Sequence, residues 1–121
     1  LEVLECYFSS VEQISIPSSI KELRCRYGFL PEITFPSCPC LKQLDVFGNH
    51  LTALDVSALP ELEYLECGLN SFSTLDVSGN LKLKVLDLRS SPELEVVYLA
   101  EGQKIETIYA DDGVSFRYKG R

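Results

Sequence analysis

Residues 41–51 read LKQLDVFGNHL and residues 62–72 read LEYLECGLNSF. Each opens on an apolar triplet at offsets 0, 3 and 5: Leu41/Leu44/Val46 in the first, Leu62/Leu65/Cys67 in the second. The same opening recurs on either side, in rows that start at Leu1, Ile20, Leu41, Leu62 and Leu83 and step by 19, 21, 21 and 21 residues. Midway along each row a second triplet repeats the spacing: Val11/Ile14/Ile16, Leu30/Ile33/Phe35, Leu51/Leu54/Val56, Phe72/Leu75/Val77 and Leu94/Val97/Leu99. A further triplet, Ile105/Ile108/Ala110, is read as continuing this second series.

Offsets 0 and 3 suit a helix, but offset 5 then lies roughly 140° from offset 0, off any single helical face. Offsets 3 and 5 instead fit a strand, where alternate side chains share a face. Pro17, Pro31, Pro36, Pro39, Pro60 and Pro92 would also interrupt any long helix. A single row has too few apolar side chains to offset the entropy of ordering its backbone. Rows must therefore stack and bury each other's faces.

Beside these residues, the chain resembles the leucine-rich-repeat family. LKQLDVFGNHL and LEYLECGLNSF match its consensus L-x-x-L-x-L-x-x-N-x-L. The short period with a second L-x-x-L-D-V-S half is similar to repeats of bacterial secreted and surface proteins. The resemblance covers roughly residues 1–100. It implies a solenoid of right-handed stacked coils, mostly strand and loop, with a parallel β-sheet on the concave side. The consensus asparagine appears as Asn49 and Asn70, while Ser9, Gly28 and Ser91 stand at the matching positions. In the family this asparagine satisfies backbone groups between coils. A parallel β-helix is the rival architecture, and the asparagine after the triplet favours the leucine-rich repeat.

Residues 101–121 depart from the period. Asp111-Asp112-Gly113 precedes Val114-Ser115-Phe116-Arg117-Tyr118, and Asp-Gly beside alternating residues predicts a β-hairpin. That hairpin is expected to cap the repeats of residues 1–100, with Lys119-Gly120-Arg121 as a loose tail.

The first triplets set an outward grid on the expected sheet. One column is Glu5, Arg24, Asp45, Glu66, Asp87. It is flanked by Tyr7, Arg26, Phe47, Gly68, Arg89 on one side and by Val3, Glu22, Gln43, Tyr64, Val85 on the other. The family binds protein ligands on this face, which implies Tyr7, Arg24, Arg26, Phe47, Tyr64, Glu66 and Arg89 as contacts. Exposed aromatics and arginines are the residue types that dominate interface energetics. The plainer reading of each is a cross-strand pair on a solvated sheet, with Arg24 between Glu5 and Asp45 as a charge ladder. The second triplets carry another outward column, Ser15, Thr34, Asp55, Asp76, Tyr98 and Tyr109, in which the aspartates are read as structural.

Composition and charge exclude other classes. With 121 residues and 45% hydrophobic content the chain fits one soluble domain. Its net charge of −7, from 18 acidic and 11 basic residues, leaves no basic stripe for nucleic acid. No apolar run approaches the ~18 residues of a membrane span, and no signal peptide is visible. Leu1 already lies inside a repeat, so the sequence is read as a trimmed segment of a longer chain.

The five cysteines have no C-x-x-C spacing. Cys6, Cys25 and Cys67 fall on inward positions as small apolar fillers, and parallel Cβ vectors make Cys6 and Cys25 poor disulfide partners. Cys38-Pro39-Cys40 lacks zinc spacing, and His50 is read as a loop residue. No nucleophile motif or phosphate loop occurs. The expectation is therefore a monomeric, non-enzymatic recognition module without cofactor or metal, extracellular or on a bacterial surface, binding a protein or a glycan. A structural spacer, or the targeting repeats of a larger secreted effector enzyme, is the alternative.

Overall fold

The computed structural model describes residues 2–5, 16–28, 32–35 and 38–119. Within them the strands are β1 (Val3–Glu5), β2 (Glu22–Arg24), β3 (Gln43–Asp45), β4 (Tyr64–Glu66), β5 (Thr74–Asp76), β6 (Val85–Asp87), β7 (Val96–Ala100), β8 (Thr107–Tyr109) and β9 (Ser115–Lys119). They form two parallel sheets, ordered β1-β2-β3-β4-β6-β8 and β5-β7-β9. The chain is thus a β-solenoid of about five turns, with no helix among the described residues.

Register follows the repeat. Leu4, Leu23, Leu44, Leu65, Leu86 and Ile108 stand side by side across the six-stranded sheet. Leu23, Leu44, Leu65 and Leu86 are fully buried, and the second-triplet residues Ile33, Leu54, Leu75 and Val97 close the same core from the other side of each coil.

Three of the strands stop after three residues for a local reason. Asp45, Asp76 and Asp87 end β3, β5 and β6, and each carboxylate accepts the backbone N–H two residues on, from Phe47, Ser78 and Arg89 at 3.1, 2.9 and 3.2 Å. Asp55 does the same with Ser57 at 2.9 Å. Such a turn diverts the N–H from the strand ladder and bends the chain. A corner follows. Tyr27, Gly48, Leu69 and Ser90 occupy equivalent positions on successive coils, and all take left-handed backbone angles, with φ of 53°, 77°, 53° and 64°.

The predicted asparagines fill the space inside that corner. Asn49 donates to the carbonyls of Cys25 and Val46 at 2.7 and 2.9 Å. Asn70 donates to Val46, Cys67 and Gly68 at 3.0, 3.1 and 3.2 Å, and its Oδ1 accepts from the Leu51 N–H. Two residues that the consensus does not mark do the same work on the second half-coil. Asn80 donates to Val56 and Leu59, and Gln103, on the following coil, donates to Val77 and to the carbonyl of Asn80. At the position matching the consensus asparagine in the fifth row, Ser91 is buried, and the N–H groups of Ser90 and Ser91 are taken by the Asp111 carboxylate at 3.1 and 2.8 Å.

Three expectations are corrected. The C-terminal hairpin does not form: β8 pairs parallel to β6, and β9 pairs parallel to β7. A hairpin would have satisfied β8 and β9 with each other and left the ladder groups of β6 and β7 without partners; stacking satisfies those groups instead. Asp112-Gly113 is a coil corner, with Gly113 at φ 93°. Secondly, Ile105/Ile108/Ala110 belongs to the first series, because halves alternate along the chain and Leu94 had already supplied the second half of its coil. Tyr109 accordingly stands beside Asp87 in the six-stranded sheet and not in the second column. Thirdly, Cys25 is disulfide-bonded, not a free filler. Cys38 and Cys67 are buried free thiols and Cys40 an exposed one.

Candidate functional site

The grid expected on the first sheet is present on its outward face. Glu5, Arg24, Asp45, Glu66, Asp87 and Tyr109 form one register column, and Val3, Glu22, Gln43, Tyr64, Val85 and Thr107 form the next. Strands lie ~4.8 Å apart, so six of them present a strip ~24 Å long. Tyr7 falls outside the described residues.

Two arginines organise the middle of the strip. The guanidinium of Arg26 lies 3.6 Å from Asp45 and 3.5 Å from Glu66, with its carbon 4.8 Å from the centre of the Phe47 ring. Phe47 in turn meets Tyr27 edge to face at 5.5 Å. Arg89 grips Asp87 with two hydrogen bonds, 3.1 and 2.7 Å, and stacks 4.5 Å over Tyr109. Arg24 departs from the expected ladder: it pairs with Glu22 at 2.8 Å and Glu5 at 3.5 Å, and Asp45 goes to Arg26. Tyr64 donates its hydroxyl to Glu66 at 3.1 Å.

These contacts set the charge states. Burial raises the Asp45 carboxyl above its ordinary range, and neighbouring Glu66 adds to the rise. Burial would raise Asp87 too, but the hydrogen bonds from Arg89 outweigh it and hold the carboxyl low. The Tyr64 hydroxyl is pushed up to about 12, by burial first and by Glu66 second, so it is a neutral donor at physiological pH.

The side chains leave two adjoining depressions that share Arg26 and Glu66. One, of about 350 Å³, is walled by Arg24, Gln43, Asp45 and Tyr64; the other, of about 310 Å³, by Phe47, Asp87 and Arg89. A third hollow of about 360 Å³ lies at the corner, between Tyr27, His50, Leu69 and Pro92. Phe47, through its contact with Tyr27, links the sheet face to that corner. Gly68 makes the close fit possible: a side chain there would overlap the Arg89 carbonyl and press on Phe47.

Sequence reasoning named Arg24, Arg26, Phe47, Tyr64, Glu66 and Arg89, and all six share this surface. It missed Tyr27, whose position next to the Asn-corner was a usable signal, and Tyr109, hidden by the misassigned series. Asp55 and Asp76 cap their own turns, and Asp76 also takes Lys119 at 2.6 Å. Among the described residues no group of three or more His, Cys, Asp or Glu is placed to hold a metal ion. Among them no helix is long and apolar enough to cross a membrane. The chain matches no protein family, no curated protein and no solved structure.

Proposed function

We propose that the chain is a leucine-rich-repeat recognition module of bacterial secreted or surface type, which binds a protein ligand on the outward face of its six-stranded sheet and catalyses no reaction. The observation that carries the reading is the run Tyr27, Phe47, Arg26, Tyr64, Arg89 and Tyr109. These are aromatic and guanidinium groups along the sheet face and its corner, with Tyr27 against Phe47, Arg26 over Phe47 and Arg89 over Tyr109, beside depressions large enough for a partner's side chains. Such groups are the ones that contribute most at interfaces. The strip alone is small beside the ~800 Å² per partner of an ordinary interface, so the corner hollow at Tyr27 and Leu69 belongs to the binding surface.

A spacer role is the competing reading, and one observation favours it: Arg24, Arg26 and Arg89 each already have a carboxylate partner within the sheet. Site-directed photocrosslinking separates the two. A crosslinking residue at Phe47 or Tyr64 should capture one defined partner, and the same residue at Thr74 on the second sheet should not. Equal labelling from both faces would sink the recognition reading.

A further inference from the structure

The corner hollow of about 360 Å³ is walled by Tyr27, Leu69 and Pro92, and Glu93 is the acidic residue of its lining. Tyr27 is held from two sides: its ring meets Phe47 edge to face at 5.5 Å, and Gly48 packs so close that a Cβ there would lie 2.7 Å from it. Leu69 is 43% exposed at a φ of 53°, a backbone region that residues other than glycine rarely adopt. Gly48 and Ser90 take the same corner on the neighbouring coils, so the turn itself does not call for an apolar residue. A strained backbone that displays a leucine to solvent is the kind of feature found where ligands are gripped.

Given the recognition role proposed above, on which this step rests, we infer that the hollow takes a basic side chain, arginine or lysine, from the partner protein. The stem of that side chain lies along Tyr27, Leu69 and Pro92, and its charged head reaches Glu93. Both residue types join an apolar stem to a cationic end, which is the combination the lining suits. The hollow thus selects the partner, while the sheet face beside it supplies the remaining contact. Phe47 joins the two, since it walls the depression of about 310 Å³ and touches Tyr27.

Charge selects the occupant. The lining contains no lysine or arginine, and among the described residues Glu93 makes no ion pair. An acidic side chain would meet Glu93 with no lysine or arginine to offset it, and a purely apolar one would make no use of that carboxylate. On the adjoining sheet face, the guanidiniums of Arg26 and Arg89 are taken by Glu66 and Asp87 at 3.5 and 2.7 Å. The net charge of −7 draws a basic partner toward the chain at long range. Arginine is expected to exceed lysine, because its planar guanidinium also stacks on an aromatic ring such as that of Tyr27.

Random linear peptides displayed on phage and selected against the 121-residue chain supply the probe. Enriched peptides should share an arginine or lysine whose exchange for glutamine weakens binding about fivefold, the upper end for an exposed ion pair. Glu93→Arg should abolish binding of those peptides, and the same peptides with glutamate at the basic position should bind that variant. A merely structural role for Glu93 would give no such exchange. Leu69→Gly should weaken binding about tenfold through the lost apolar contact, with an unchanged circular dichroism spectrum. If that variant fails to fold, the charge exchange decides. Enrichment of acidic or purely apolar peptides, no enrichment at all, binding to a glycan array in place of peptides, or binding indifferent to Glu93→Arg would each overturn the proposal. Peptides indifferent to Glu93→Arg yet lost on Tyr64→Ala would leave the recognition face standing without the hollow, and peptides indifferent to both would sink both readings.

Discussion

The Oδ1 atom of Asn70 accepts a hydrogen bond from the N–H of Leu51, one coil earlier, at 3.1 Å. The same side chain donates to Val46 on that earlier coil and to Cys67 and Gly68 on its own. One buried amide therefore ties two turns of the solenoid through groups that no strand ladder reaches.

Asn70→Ala should accordingly lower stability by about 3 kcal/mol, since a buried group left without its partner costs ~1–3 kcal/mol and more than one is stranded here. Urea unfolding at neutral pH measures it. Asn80→Ala should cost a similar amount, although the consensus does not mark that position. A loss confined to Asn70 would mean that the second half-coil is held by burial alone.

Gly68 and Gly79 form a matched pair. A Cβ at Gly68 would collide with the backbone carbonyl of Arg89, which cannot move without shifting the next coil, whereas a Cβ at Gly79 meets nothing. Gly68→Ala should cost about 2 kcal/mol or more. Gly79→Ala, at a residue without a positive φ, should be neutral or stabilising by up to ~1 kcal/mol through the unfolded chain. Equal unfolding midpoints for the two variants would contradict the close approach of the coils at β4 and β6.

Leu69 sits at φ 53° and is 43% exposed, so the corner holds a branched apolar residue where a left-handed backbone is required. The conformation costs ~1–2 kcal/mol, against ~0.5–1 kcal/mol for the added freedom of glycine in the unfolded chain. Leu69→Gly should raise stability by about 0.5–1 kcal/mol in urea unfolding, with the Leu69 N–H still bonded to the Ser90 carbonyl. A clear loss would show that the leucine's apolar contacts at the corner outweigh its strain.

What the sequence made legible was what the repeat enforces. The alignment of Leu44, Leu65 and Leu86 followed from the period, because any slip by one residue would expose every apolar side chain. The outward grid followed from the same alternation. The corner residues were less visible, since Tyr27, Gly48, Leu69 and Ser90 share a backbone angle and not a chemistry. Asn80 and Gln103 were hidden for a related reason: a carbonyl two strands away can be met by an amide on either of two side-chain lengths, so no single letter recurs. The hairpin was misread because Asp-Gly specifies a left-handed corner without saying which strand the chain will meet next. Competition with the open ladders of β6 and β7 decided that, and competition of this kind is not local.

Asp45 and Asp87 lie two strands apart in one column, yet their carboxyls are shifted in opposite directions, which gives stability two opposite pH signatures. Burial raises Asp45, so its protonation favours the fold: the contribution is complete below the unfolded value near ~3.9 and is lost as pH rises through the folded value. Despite its burial Asp87 is held low by Arg89, so its contribution is present above ~3.9 and is lost as pH falls through the lower folded value. Asparagine at either position removes the titration and leaves a side-chain oxygen able to accept the N–H of Phe47 or Arg89. The stability of Asp45→Asn relative to the parent chain should therefore rise from pH 3 to pH 7, and that of Asp87→Asn should fall over the same range. Thermal unfolding of both variants at the two pH values reads the signs directly. Shifts in the same direction would mean that the Arg26 and Arg89 guanidiniums do not divide the two carboxylates as their distances indicate, because Arg89 is bonded to Asp87 at 2.7 Å while Arg26 stands 3.6 Å from Asp45.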